Sequence, residues 1–404
     1  MRLRIKDICD YVSRGTTPDY VDEGANKVMN QATFSKGWID ESNIRYTSKT
    51  NKGARIMKGD LLMASTGGGV LGKVFFFDDD DSFYADSHVT IMRNSKGANL
   101  MKYLYYYFYL RYDEINATMV KGSTNQTELQ RNYLLSYELD VPTLADQQRM
   151  VTYLDTKLSD IDHQVSLLTS KRDAYLRLKK SIINHAVTRG LNPNVKMKDS
   201  GIEWIGEVPE HWEVKRMKDI FFERKELSLT GEEDLLSVSE FYGVARRKDK
   251  MNSDEEFESR ADSLVGYKIC KAHDLVINIM LAWKTGLGIS DNDGIVSPAY
   301  AVYEGRNIAF HFYHYLLRSG MYVKEFKRHS KGIIDSRLRL YNDRFNNISA
   351  IYPPIPEQRA IATYLDDKCA KIDTIVSNLD KQISRYGDLK RSLIDEVITG
   401  KRTV

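Results

Sequence analysis

Several groups of residues in this chain have types and spacings that could do chemistry. Gly67-Gly-Gly-Val-Leu-Gly72-Lys73-Val74 comes within one residue of a phosphate-binding loop. Such a loop needs a Ser or Thr hydroxyl after the lysine to reach Mg²⁺, and a helix N-terminus to hold the phosphates. Here Val74 takes the hydroxyl position, and Phe75-Phe-Phe77 reads as a strand, so a glycine-rich turn between strands is expected. His311-Phe-Tyr-His314 has a metal-like spacing, but no carboxylate or cysteine accompanies it at ligand spacing. It reads as two histidines on an aromatic helix face. Glu213/Lys215 and Glu223/Lys225 imitate a nuclease Glu-x-Lys pair without an upstream acidic partner. Signatures of methyl transfer (Asn/Asp-Pro-Pro-Tyr/Phe) and of dinucleotide binding (GxGxxG between strand and helix) are missing. The expectation is a chain that is not an enzyme.

Nucleic-acid contact fits other residues better. Lys324, Lys327, Arg328, His329, Lys331, Arg337, Arg339 and Arg344 crowd one stretch around Gly332, and Arg246-Arg247-Lys248 with Lys250 forms another. In the first half the equivalent stretch is Lys121-Gly-Ser123-Thr124-Asn125-Gln126, and Arg14-Gly-Thr16-Thr17-Pro18 adds a basic loop. Lys and Arg would supply salt-dependent phosphate contacts, and Asn, Gln and Arg can make bidentate contacts to base edges. The candidate DNA-binding residues are therefore Arg14, Thr16, Thr17, Lys121, Ser123, Thr124, Asn125, Gln126, Arg246, Arg247, Lys248, Lys327, Arg328, Lys331, Arg337 and Arg339. Any single one could equally sit on a solvated basic face; paired clusters at matching positions in both halves argue for DNA. Net charge is only +3, so the case rests on these clusters and not on the bulk balance.

Length and composition bound what can position them. The 404 residues allow two to three domains, and 28 % charged with 11 % aromatic residues is globular composition. Cys9, Cys270 and Cys369 form no CxxC and read as reduced thiols. No signal peptide opens the chain, and the longest apolar run, Tyr103 to Leu110, is too short to span a bilayer. A cytoplasmic location is expected.

The chain also repeats itself. Leu144-Ala-Asp-Gln147-Gln-Arg-Met-Val-Thr152-Tyr-Leu-Asp155 returns as Ile355-Pro-Glu-Gln358-Arg-Ala-Ile-Ala-Thr363-Tyr-Leu-Asp366, about 211 residues later. From Pro142 and Pro353 onward the copies align without a gap, with roughly 18 of 47 positions identical. Leu365, Cys369, Ile372, Val376, Leu379, Ile383, Tyr386, Leu393 and Val397 follow spacings of three and four, interrupted at Lys390. The first copy gives Leu154, Leu158, Ile161, Val165, Leu168, Tyr175 and Ile182, with breaks at Arg172 and Lys179. Heptads sustained this far predict helices of about 63 Å that form a coiled-coil seam, most simply with each other and antiparallel. The portions preceding each repeat alternate strand-like runs (61–64, 74–77, 89–92, 275–279, 300–303) with helix-like segments (100–112, 308–326), a mixed α/β pattern. Residues 190–201 read as a turn-rich linker, after which Trp204 and Trp212 dock onto the second variable domain.

The Pro-x-x-Glu-Gln-x-x-Ile-x-x-Tyr-Leu-Asp segment, Pro353 to Asp366 and more weakly Pro142 to Asp155, resembles conserved regions of type I restriction–modification specificity subunits (HsdS). Lys198-Asp-Ser-Gly-Ile-Glu-Trp-Ile-Gly-Glu-Val-Pro-Glu-His-Trp212 and Gly15-Thr-Thr-Pro18 are similar to the same family. The resemblance implies a pseudo-two-fold, mixed α/β chain: target-recognition domains at 1–141 and 213–352, separated by an antiparallel coiled coil of conserved helices at 142–190 and 353–404, with a linker at 191–212. It implies a host-defence role in which each domain reads half of an asymmetric bipartite DNA site. Two modification (methyltransferase) subunits would dock, together with restriction (translocase/endonuclease) subunits. S-adenosylmethionine, ATP and Mg²⁺ would belong to those partners, with no cofactor in this chain. The competing readings are a coiled-coil adaptor, or a stand-alone bipartite DNA-binding protein without a restriction partner. The sequence departs from the family pattern in lacking a first-half counterpart to Glu203–Trp212, and in having Ala145-Asp146 where the second copy has Pro356-Glu357.

Overall fold

The computed structural model of the chain describes residues 1–95, 97–121, 127–250 and 263–404. They fall into two units, one of Met1–Leu168 with Lys381–Val404 and one of Thr169–Asp380. Each unit holds one variable portion and a stretch of both long helices, Leu144–Arg189 and Ile355–Ile398.

In the first unit a four-stranded antiparallel sheet runs in the order Tyr11–Arg14, Val89–Arg93, Leu61–Ala64, Val74–Phe76. Leu61–Ala64 is buried along its whole length because successive side chains enter different cores. Leu61 and Met63 join the core shared with the aromatic helix Ala98–Leu110, while Leu62 and Ala64 join a smaller one with Met29, Phe34 and Phe83. That alternation is the strand period of two applied to a sheet covered on both faces.

The second unit repeats the design strand for strand: Phe221–Glu223, Tyr300–Gly305, Leu275–Asn278, Leu287–Ile289. Leu275 and Ile277 face the core beneath the helix Phe310–Leu317, and Val276 faces the other side with Val302. In both units the strand that opens the variable portion pairs antiparallel with the one leading into the long helix: Arg2–Arg4 with Glu138–Asp140, and Glu213–Arg216 with Ser349–Tyr352. Residues 190–212 close over the second unit; Trp212 is fully buried and Trp204 packs edge-on against Tyr322 at 5.0 Å.

A buried carboxylate fixes the same corner of each sheet. Asp60 accepts from Arg93 at 2.7 Å on both oxygens and from the Met57 backbone N–H at 2.7 Å. Asp274 accepts from Arg224 at 2.6 and 3.1 Å and from the Lys271 N–H at 2.8 Å. The residue before each aspartate has positive φ, Gly59 at 92° and His273 at 75°, so the second unit holds a side chain where the first uses glycine.

Two sequence expectations change in detail. The helix read over 100–112 ends at Leu110 and a second runs Tyr112–Thr118. The helix read over 308–326 divides into Phe310–Leu317 and Gly320–His329, with extended backbone at Ser319. At the second break, Arg318 turns inward and donates to four backbone carbonyls, those of Thr285, Leu287, Glu240 and Phe241. Pattern reading registers the apolar face, which continues through the break, and not a side chain that leaves the helix to bind loops.

The long helices meet antiparallel in each unit. In the second, Lys179 donates to Asp373 at 2.7 Å and Arg172 to Asp380 at 3.4 Å, so seven residues forward on one helix is seven back on the other. In the first, Lys390 donates to Asp162 at 2.6 Å. Every break in the heptad stripe is therefore a cation paired with an aspartate on the facing helix. Between these pairs the apolar positions close the seam: Leu154, Leu158, Ile161, Leu393 and Val397 in one unit, Leu365, Cys369, Ile372 and Leu379 in the other. Fully burying each such leucine or isoleucine stabilises by about 1.5–3 kcal/mol.

Candidate nucleic-acid interface

In the repeated Tyr-Leu-Asp segment the leucine is buried, and the partly exposed aspartate anchors the long helix to the aromatic helix. Tyr106 donates to Asp155 at 2.6 Å and Lys102 pairs with its other oxygen at 2.7 Å. At the matching places Tyr315 donates to Asp366 at 2.8 Å and His311 lies 3.4 Å from it. Burial and the neighbouring carboxylate push both tyrosine hydroxyls up, so they remain donors. This joint carries the variable loops on a rigid base, which precise recognition requires.

In the first unit, two of the expected segments converge. Arg14 ends a sheet strand and donates to Glu128 at 2.8 Å and to the Ser87 carbonyl. Glu128 lies opposite Lys121 in the two-stranded pairing of Val120–Lys121 with Glu128–Leu129, and it also bridges Thr66. The loop this pairing closes contains Ser123, Thr124, Asn125 and Gln126, which lie outside the described residues. Thr66 and His88 are joined at 2.8 Å beside this pair. Gly67–Gly72 forms the expected turn between antiparallel strands, with positive φ at Gly67, Gly69 and Gly72.

Thr16 and Thr17 are exposed on the next loop, where Gly15 is forced: a Cβ there would sit 2.2 Å from the Ala85 and Asp86 carbonyls. Both threonines line a cavity of about 380 Å³ with Lys49, Thr50, Asn51 and Lys52. These last four were missed by sequence reading, although Ser48-Lys-Thr-Asn-Lys-Gly53 is a polar turn sequence of the right kind.

In the second unit, Lys331 and Arg339 exchange two backbone hydrogen bonds of 2.9 Å and close the loop between them. Gly332 is again required, since a Cβ would meet the Arg337 carbonyl at 2.6 Å. Lys331 and Arg337 are exposed, with no side-chain partner among the described residues, while Arg339 folds back on the Leu338 carbonyl. Lys327 pairs with Asp335 at 2.9 Å and stands 5.0 Å from the Trp283 ring. Arg328 makes a two-point contact with Glu325.

The third cluster is spread along a hairpin, Leu236–Ser239 with Gly243–Arg246. Lys248 and Arg246 both pair with Asp234, at 2.7 and 3.3 Å, and the Arg247 backbone bonds to Leu235. The expected cations are thus at the surface, and several hold carboxylates of their own chain. The exposed pairs contribute about 0–1 kcal/mol, small enough for a phosphate to displace the carboxylate, whereas Arg328 holds a buried Glu325.

The two histidines separate. His311 is exposed beside Asp291 and Asp366, whereas His314 is buried under Gly243 and Gly288 and accepts from the Ile289 N–H at 3.4 Å. Burial lowers His314 to about 4. No group of three or more His, Cys, Asp or Glu among the described residues is arranged to hold a metal ion, and no described helix is long and apolar enough to cross a membrane.

Comparison with known proteins gives a consistent picture. Residues 1–167 match the family model described as "Type I restriction modification DNA specificity domain". The type I restriction enzyme MjaVIII specificity subunit of Methanocaldococcus jannaschii is 21 % identical over 374 residues, spanning 88 % of this chain and 82 % of that protein. A solved chain from work on complex assembly and conformational transition of the type I R-M system superposes with a TM-score of 0.68 at 13 % identity, covering 98 % of this chain and 97 % of that one. The HsdS subunit from Thermoanaerobacter tengcongensis covers 100 % of this chain and 97 % of its own at 13 % identity, with a TM-score of 0.47.

Proposed function

We propose that this chain, which is similar to type I restriction–modification specificity subunits, reads a DNA site in two unlike halves and docks the subunits that act on it. The observation that carries this reading is duplication of scaffold without duplication of loops. Both units have the same sheet order, a buried aspartate at the same corner held by an arginine from a different strand, and the same Tyr–Asp joint. The loops those scaffolds present differ. One offers Arg14, Thr16, Thr17 and the sequence Ser123-Thr124-Asn125-Gln126 after Lys121; the other offers Arg246–Lys248, Lys327, Arg328, Lys331, Arg337 and Arg339. Lys331 and Arg337 would contact phosphates directly, and the paired cations would exchange a carboxylate for a phosphate on binding. Chemistry at the base would come from methyltransferase subunits carrying S-adenosylmethionine, and ATP-driven cleavage from restriction subunits. The long helices, shared by both units, would set the gap between half-sites.

Sequencing of modified bases in the host tests this. One methylated motif with two different halves and an unspecified gap is expected; a continuous or palindromic motif overturns it. Adding seven residues to both long helices, after Arg172 and before Asp380, keeps the seam in register and should lengthen the gap by about 3 base pairs. The half-sites should stay the same. A coiled-coil adaptor that does not read DNA draws support from the cations already paired within the chain, but it predicts equal binding to all duplexes and a shallow salt dependence.

A further inference from the structure

The second unit carries a three-residue tip, Glu240-Phe241-Tyr242, that joins the hairpin strands Leu236–Ser239 and Gly243–Arg246. Phe241 is 85 % exposed, a large ring set out in solvent at the end of a turn. The backbone that carries this ring is fixed from below. The half-buried Arg318 guanidinium donates to the Glu240 and Phe241 carbonyls at 3.1 Å, and at 2.7 Å to the carbonyls of Thr285 and Leu287. Thr285 donates to the Glu240 carbonyl at 2.6 Å, the Phe241 N–H donates to Ser239 Oγ at 3.1 Å, and Tyr242 is joined to Ser237 at 3.0 Å. Gly243, at φ 84°, lets the strand settle onto His314, where a Cβ would come within 3.0 Å of the imidazole.

Arg318 forms no ion pair among the described residues, so a half-buried cation serves wholly to hold two turns. A partly desolvated guanidinium satisfied only by carbonyls is a costly way to stiffen a hairpin. It makes sense if the tip must resist a load. Cations stand on the adjoining elements: Lys284 is exposed on the neighbouring turn over the Trp283 ring, Lys327 reaches the same ring while paired with Asp335, and Arg246 and Lys248, both paired with Asp234, follow on the hairpin's second strand and just beyond it.

We propose that Phe241 is a wedge that enters the DNA stack at one base step of the half-site read by the second unit. This rests on the DNA-reading function proposed above and adds a distortion of the duplex to it. Apolar side chains driven between base pairs unstack them and let the DNA bend toward the protein, which raises specificity for steps that unstack easily. A fixed backbone turn keeps the ring at the tip, where it can meet a base step.

The test uses the full chain with the duplex that the wild type selects from a random-sequence library, probed with permanganate for unstacked thymines. Wild type should give hyperreactivity at one step of a single half-site. Phe241→Ala should abolish that signal and weaken binding by roughly 5- to 150-fold, the range of one base–aromatic contact. It should leave thermal stability and the salt dependence unchanged, because the side chain is exposed and uncharged. Phe241→Leu should keep the hyperreactive step, and the fluorescence of Phe241→Trp should be quenched on binding. Tight, selective binding without any hyperreactive step, or a signal that survives Phe241→Ala, overturns the wedge and leaves DNA reading intact. Failure to prefer any duplex overturns both.

Discussion

The two joints between variable portion and long helix are the same device built to different standards. In the second unit Gln358 is fully used: its amide donates to the Pro353 carbonyl at 2.7 Å and its oxygen accepts from the Ala309 N–H at 2.8 Å. In the first, Gln147 donates to the Pro142 carbonyl at 2.9 Å, but its buried oxygen has no partner among the described residues. Trp212 donates to Glu357 at 3.0 Å and seals the second joint with a fully buried ring. At the first joint Asp146 is held by Thr143 and Arg149, and Arg149 donates to the Val404 carbonyl at 3.2 Å. Duplication preserved the contacts that define the joint, while the surrounding packing diverged. The second joint should be the tighter of the two.

The largest expected effect comes from removing the seal. Trp212→Ala should destabilise the second unit by about 3–5 kcal/mol, the cost of a deleted core aromatic, and leave the first unit's transition in place. Urea unfolding followed separately in each unit would show this, and an equal loss in both would break the comparison.

A second contrast lies in pH. His314 is buried and held down to about 4, and the first unit has Tyr105 at the matching place. Its folded pKa is below the unfolded value near 6.5, so the unfolded chain takes up a proton more readily. Stability is therefore full above that pH and is lost as pH falls toward 4, by on the order of 3 kcal/mol. This loss should appear in the second unit and vanish in His314→Phe, as read by unfolding midpoints at pH 7 and 4.5.

The glutamines sharpen the comparison further. Gln358→Leu orphans a buried N–H and should cost about 1–3 kcal/mol, whereas Gln147→Leu also removes an unsatisfied oxygen and should cost less. Equal penalties would mean that the first oxygen is satisfied after all.

Much of this design is legible in the repeat. Asp162 and Asp373 are equivalent residues, as are Lys179 and Lys390, and the structure pairs them crosswise, Lys390 with Asp162 and Lys179 with Asp373. A pseudo-two-fold requires that reciprocity: if one copy's lysine meets the other's aspartate, the reverse must also hold. Arg172 pairs with Asp380 without such a twin, since the matching residues are Ile383 and Thr169. The heptad period gave the helices their seam, but lysines at its breaks looked like defects until the facing aspartates were in place.

The site was less legible. Arg14 and Glu128 are distant in the chain yet meet through the sheet, and no local pattern announces it. Phe241 looks in sequence like one more aromatic in a region rich in them; only the carbonyls around Arg318 single it out.

The sequence alone determined the doubling, the long helices and their antiparallel seam, because periodicity and repetition are local properties of a chain. It also placed the basic loops, since turn residues and charge are read one segment at a time. Tertiary structure alone decided which described cations hold carboxylates, which polar atoms are satisfied, and which exposed ring stands on a braced turn. Those depend on distances between residues far apart in the chain, where a change of one ångström makes or removes a hydrogen bond.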